Sequence, residues 1–206
     1  MNIAEIETVP LRIPFKRGSR SADAAWGDKD LPAADSLLVK VTTDDGLIGW
    51  GEAFGFRAVQ SAKLAIDELI GPLCIGEDAT RIAALMLEVQ KKLHIFGRGG
   101  PLFYGLSAVD IALWDIAGKA ANVPVFRLLG GGASALACYA SLVRCSDPVL
   151  VRASVRRALD DGFRSLKLHE IELPAIRTAR EEAGPEIELT LDVNCAWTLY
   201  EARMRA

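Results

Sequence analysis

Ser107-Ala-Val-Asp-Ile-Ala-Leu-Trp-Asp-Ile-Ala-Gly-Lys-Ala-Ala-Asn-Val-Pro-Val-Phe-Arg-Leu-Leu-Gly-Gly-Gly132 holds a helix, its terminator and a break in one run. Val109, Ala112, Leu113, Ile116 and Ala120 recur at helical spacing and predict one apolar stripe. Asp115 and Lys119, one turn apart, can pair along the same helix. Asn122 and Pro124 end it, since proline cannot continue the hydrogen-bond ladder. The glycines at 130–132 then mark a change of organisation. They divide the chain near residue 130.

Upstream, Ile3 to Pro10 alternates apolar and polar residues, as a half-buried strand does. Ser36 to Thr43 and Leu47 to Ala53 read as two more strands, joined at Asp44-Asp45-Gly46, a good hairpin turn. Together they predict a three-stranded antiparallel meander. Between the first two strands lies a polar, glycine-containing segment, Lys16 to Ala34. A connection of that length inside a compact domain is expected to be a lid or binding loop. Val59 to Leu69 is apolar on one face and should stop at Gly71-Pro72. Asp78 is expected to cap a second helix reaching about Leu93. The glycine-rich Gly97 to Pro101 precedes the third, which runs through Ala121.

Downstream the pattern changes to strand and helix in alternation. Ala137 to Leu142 suits a short buried strand, and Asp147 with Pro148 opens a helix that ends at Gly162. Arg164 to His169 and Glu188 to Val193 read as strands, with a helix from Pro174 to Ala183 between them. Thr198 begins another helix. Such alternation means βα units and a parallel sheet. About three units are present, whereas a closed (β/α)₈ barrel typically takes ~250 residues. The expectation is therefore a truncated barrel with an uncovered parallel edge.

Composition excludes several classes. The formal net charge of -3 argues against nucleic acid or anionic membrane as partner. No apolar run is long enough to span a bilayer. Glu5 and Glu7 stand where a signal peptide needs apolar residues, so a cytoplasmic location is expected. Four cysteines, Cys74, Cys138, Cys145 and Cys195, show no CxxC spacing. Each is expected to be a small buried residue. Two histidines, His94 and His169, are too few for a histidine-rich metal site. No Gly-x-Ser-x-Gly, Walker loop or dinucleotide fingerprint occurs.

The run from Ser107 to Gly132 resembles the junction between capping domain and barrel in the mandelate racemase and muconate lactonizing enzymes of the enolase superfamily. Gly46-Leu-Ile-Gly-Trp-Gly-Glu-Ala53 resembles the third strand of that same capping domain. The resemblance covers nearly the whole chain, in order and at family spacing. It implies an α+β capping domain over 1–130, a three-stranded antiparallel meander plus helices. A partial TIM-type barrel over 131–206 would follow. Trp114 and Leu128 are expected to pack, and Asp115 and Lys119 to form a helix pair with a cap contact. The motif identifies the family without carrying its chemistry.

The chemistry is expected at the C-terminal ends of two strands, the face on which (β/α)₈ enzymes place their active sites. Lys167 and His169 are two residues apart and share one face. The family pattern here is Lys-x-Lys, in which the second lysine takes the substrate's α-proton and the first supports the carboxylate. His169 departs from it. An imidazole, with an unperturbed pKa near ~6.5, can act as a base at neutral pH, and a lysine or histidine base with Mg²⁺ is this superfamily's known device. His169 is thus a base, a substrate binder with the base elsewhere, or structural. Asp192-Val193-Asn194 resembles the family's Asp-x-Asn. That likeness makes Asp192 a carboxylate ligand of Mg²⁺, which favours oxygen donors, and Asn194 a residue that binds substrate or steadies the site.

The resemblance implies abstraction of the α-proton of a small carboxylic acid through an enediolate, its charge stabilised by the metal. Racemase or epimerase, acid-sugar dehydratase and cycloisomerase activities all share this step. The Lys16–Ala34 segment and Phe54-Gly55-Phe56 are expected to close over substrate. The full-length protein is expected to form a homo-oligomer, without nucleic acid or membrane partners, while the 206-residue chain by itself is expected to be inactive. The alternative is a non-catalytic remnant that serves as a binding or assembly module.

Overall fold

The computed structural model describes residues 1–14, 33–56, 58–132 and 135–205. These form two compact units, one of residues 1–14 and 33–132 and one of residues 135–205. Most of the Lys16–Ala34 segment lies outside the described residues. No helix among them is long and apolar enough to cross a membrane.

In the first unit β1 (Ile3–Pro14), β2 (Ala33–Thr43) and β3 (Ile48–Ala53) form an antiparallel sheet in the order β1-β2-β3. β1 runs four residues beyond the predicted Pro10, paired out to Pro14 with Ala33. Its prolines are tolerated because it is an edge strand, whose outward N–H groups need no ladder partner. The β2–β3 turn places Gly46 at φ +86°, the left-handed conformation that its missing Cβ permits. Leu37, Val39 and Val41 form one fully buried face of β2.

Helical structure begins with α1 (Val59–Ala65). It passes through a π turn (Ile66–Ile70) into α2 (Gly71–Cys74). The expected stop at Gly71-Pro72 does not occur. The wider π turn shifts the bonding, Gly71 N–H reaching Ile66 O, and Pro72 falls in the first turn of the next segment, where its lost N–H is harmless. Asp78 does not cap a helix either: its carboxylate accepts from the N–H and hydroxyl of Thr80, and α3 (Ile82–Lys92) starts after Arg81. A 3₁₀ turn (His94–Phe96) leads on to α4 (Gly100–Ala121), which Asn122 closes at φ +53°.

Val109, Ala112, Leu113 and Ile116 are fully buried as the stripe requires, whereas Ala120 is exposed. α4 lies directly on β3. A Cβ at Gly51 would sit 1.9 Å from Ala108 O, and one at Gly49 would sit 2.1 Å from Ala112 O. Glycine on the strand and alanine on the helix thus bring two backbones into contact. Asp115 and Lys119 pair at 2.7 Å, as read. Both also reach the outer edge of β3: Trp50 N–H donates to Asp115 Oδ2 (2.8 Å), and Lys119 Nζ donates to Ile48 O (2.7 Å). Trp114 packs against the core, while Leu128, in α5 (Val125–Leu128), is 38% exposed.

The second unit is a parallel sheet in the order β4 (Ala140–Leu142), β5 (Ser165–Leu168), β6 (Glu188–Leu191). Helices α6 (Pro148–Asp160), α7 (Leu173–Ala183) and α8 (Leu199–Arg205) follow the strands in turn. Asp147 caps α6 by accepting from Val149 N–H at 2.8 Å. Thr198 and Glu201 form a reciprocal capping box at the start of α8. Leu166 and Leu168 are buried with Val151, Val155, Ala175 and Ala179 of the helices. Alternation along β5 turns Lys167 to the opposite face. Cys74 and Cys145 are buried, and burial pushes the Cys74 thiol up to about 12. Cys138 and Cys195 are exposed, against expectation, on segments beside the strands where no core covers them.

Candidate active site

Parallel strands end together, so the residues just past Leu142, Leu168 and Leu191 gather on one rim of the sheet. The β4–β5 ladder pairs Ser141 with Lys167, and the β5–β6 ladder pairs Lys167 with Thr190. His169 and Asp192 are the first residues beyond these ladders. All four residues singled out in the sequence, Lys167, His169, Asp192 and Asn194, are half-buried.

Lys167 Nζ lies 2.8 Å from Asp192 Oδ2, and Asp192 Oδ1 accepts the backbone N–H of Asn194 at 2.9 Å. The hydrogen bond from Lys167, aided by the Asn194 N–H, holds the Asp192 carboxyl below the usual carboxylate range. The same bond raises the Lys167 ammonium above the ordinary lysine value. The Tyr139 ring lies 5.9 Å from Lys167 Nζ.

His169 Nδ1 is 3.0 Å from the main-chain oxygen of Asp192 and 3.0 Å from Asn194 Nδ2. A carbonyl only accepts, so the first contact places the ring proton on Nδ1 and leaves the lone pair on Nε2. The second, with the amide as donor, selects the opposite tautomer. Nε2 faces Ser141 Oγ at 3.4 Å. Asn194 and Cys195 both adopt left-handed backbone, at φ +48° and +63°, and turn the chain sharply after Asp192.

Three neighbours were not legible in the sequence. Ser141 enters through strand register. Arg144 Nε donates to His169 O at 2.7 Å, and Glu170, 2% exposed, accepts the N–H groups of Cys145 and Ser146. The one available signal was Glu170's position directly after Lys-x-His.

Among the described residues no group of three or more His, Cys, Asp or Glu side chains converges as a metal cluster. Asp192 suits a hard cation in kind, since an ionised carboxylate keeps lone pairs beyond the two contacts it makes. By itself it would supply one ligand of the six or so such an ion takes.

Residues 30–130 match the family model described as mandelate racemase / muconate lactonizing enzyme, N-terminal domain. The chain is similar to the arabinonate dehydratase of Saccharolobus solfataricus, at 28% identity over 209 residues, covering 97% of this chain and 56% of the dehydratase. It is also similar to the 3,6-anhydro-alpha-L-galactonate cycloisomerase of Streptomyces coelicolor, at 30% identity over 206 residues, covering 96% and 56% respectively. A solved structure of a racemase from Streptomyces coelicolor A3(2) with bound magnesium matches with a TM-score of 0.85 at 27% identity, covering 97% of this chain and 57% of the racemase. The chain spans about half the length of these curated relatives.

Proposed function

We propose, for a chain that belongs to the mandelate racemase / muconate lactonizing enzyme family of the enolase superfamily, that the protein abstracts the α-proton of a small carboxylic acid. The outcome would be racemisation or epimerisation, dehydration of an acid sugar, or cycloisomerisation. The observation that carries this reading is the convergence of Lys167, His169, Asp192 and Asn194 on one rim of the β4–β6 sheet.

In that reading His169, with its proton on Nδ1 toward the Asp192 carbonyl, presents a Nε2 lone pair to the substrate's α-proton. Lys167 supplies positive charge to the substrate carboxylate. Asn194 either contacts substrate or steadies the ring. Asp192 would be one ligand of Mg²⁺, which when bound stabilises the charge that develops on the substrate carboxylate.

The test is solvent exchange. Sugar acids and α-hydroxy acids are incubated with the full-length protein in D₂O and Mg²⁺, and loss of the α-proton signal is followed by NMR. Exchange that needs both Mg²⁺ and His169 is expected. A protein that neither binds Mg²⁺ nor exchanges any acid of the panel would refute the proposal.

A further inference from the structure

We propose that Glu170 is a positioning residue for His169, acting through the main chain without touching substrate. The inference rests on the reading of His169 as a site residue. The β4–β5 ladder ends at Leu142 and Leu168, so His169 lacks the β4 ladder partner that would otherwise hold it. Two other ties replace it. Arg144 Nε donates to the His169 carbonyl at 2.7 Å. One residue on, the Glu170 carboxylate takes Cys145 N–H at 2.6 Å and Ser146 N–H at 3.0 Å.

Consecutive amides that point into one concavity make an anion cradle. Ser146, at φ +60°, supplies the left-handed turn that such a cradle uses. The anion here is the chain's own carboxylate, buried to 2% exposure. Bonds of this charge-assisted kind are stronger than neutral ones. The loop that follows β4 is therefore bolted to the end of β5 at two points, the His169 carbonyl and the Glu170 side chain, directly after the carbon that carries the imidazole. With the peptide fixed, the ring meets the Asp192 carbonyl and Ser141 at the distances seen.

The experiment compares Glu170→Gln with the parent. Glutamine keeps the shape but offers one acceptor to two donors. Ring ¹⁵N–¹H spectra are recorded at one pH, without substrate or metal. The chain has two histidines, and His94 on its exposed 3₁₀ turn serves as the internal control. The His169 ring signals are expected to shift or broaden while those of His94 stay in place. In the solvent-exchange assay kcat should fall on the order of 10- to 100-fold, the scale of a small misplacement of a reacting group, with KM little changed.

Should Glu170→Gln fail to fold, Arg144→Lys, which leaves the carboxylate in its cradle, is read in the same way. Cooperatively folded variants whose His169 signals overlay the parent's would overturn the proposal. So would loss of cooperative unfolding in both variants, since the two residues would then hold the fold and not the ring. The spectra need no turnover. A ring shift without any exchange activity in the parent would sink the functional reading and leave the positioning role standing.

Discussion

Lys167 Nζ and Asp192 Oδ2 lie 2.8 Å apart across adjacent strands. The cation of β5 thus occupies one oxygen of the carboxylate that the proposed function assigns to a metal. Each partner stabilises the other's charged form, and the directions of their pKa shifts say over which pH range the pair persists.

Asp192 is depressed when folded, so its contribution to stability is complete above the unfolded carboxyl value, ~3.9. It is lost as pH falls through the lower folded value. Lys167 is raised, so its contribution is complete below ~10.4 and is lost as pH rises through the higher folded value. In the metal-free chain, the difference in urea midpoint between the parent and Lys167→Met should therefore stay constant from about pH 5 to pH 10. It should shrink beyond either end. A difference that drifts across the neutral range contradicts the pairing.

Asp192→Asn removes a charged oxygen donor while keeping the side chain's size and the Asn194 turn. Changing a residue that merely supports a metal ligand already weakens binding by ~10–100-fold. Loss of the ligand itself should cost at least that much. Calorimetric titration with Mg²⁺ checks this, with circular dichroism confirming an unchanged fold. Undiminished Mg²⁺ affinity in the variant would remove Asp192 from the metal site.

His169→Asn retains hydrogen bonding and removes basicity. Loss of a general base costs ~10²–10⁴-fold, so kcat should drop within that range and α-proton exchange should cease on that face. Because only the neutral ring accepts a proton, the parent's rate should also decline toward acid. If the variant keeps exchange and changes only KM, His169 binds substrate and the base lies elsewhere.

Gly51→Ala tests the packing of α4. The added carbon would press on the Ala108 carbonyl at 1.9 Å. Backbone on both sides leaves little room to yield, so the cost belongs at the upper end of the ~1–3 kcal/mol typical of overpacking. Urea unfolding measures it. Gly46→Ala, where a Cβ would meet nothing within 4 Å, separates this crowding from the strain of a left-handed turn. Near-parent stability in Gly51→Ala would mean that the helix does not sit where it is described.

The shared strand face of Lys167 and His169 was legible because period-two alternation and βα spacing turn sequence positions into places on a sheet, whereas Asp192 and Asn194 were singled out by their likeness to the family's Asp-x-Asn. Both strands end one or two residues earlier than read, at Leu168 and Leu191, without disturbing the faces. Ser141, Arg144 and Glu170 were not legible. Their contacts depend on the β4–β5 register and on a left-handed Ser146, and neither leaves a periodic trace. Gly71-Pro72 was misread for a related reason. A proline stops a helix that keeps its bonding pattern, but a π turn changes the pattern just before it. The Asp78 expectation failed on competition, Thr80 offering both its amide and its hydroxyl closer at hand than a helix start.

The contacts of Asp115 and Lys119 with Trp50 N–H and Ile48 O have a wider consequence. An exposed strand edge is a template on which another chain can grow. Here one acceptor and one donor, set a helical turn apart, meet the outward groups of β3 and impersonate a fourth strand. The β3 edge is thereby capped at Ile48 and Trp50 by side chains, with no strand spent on the task. Replacing Asp115 and Lys119 together would leave the hydrophobic core untouched and yet reopen a site for intermolecular pairing.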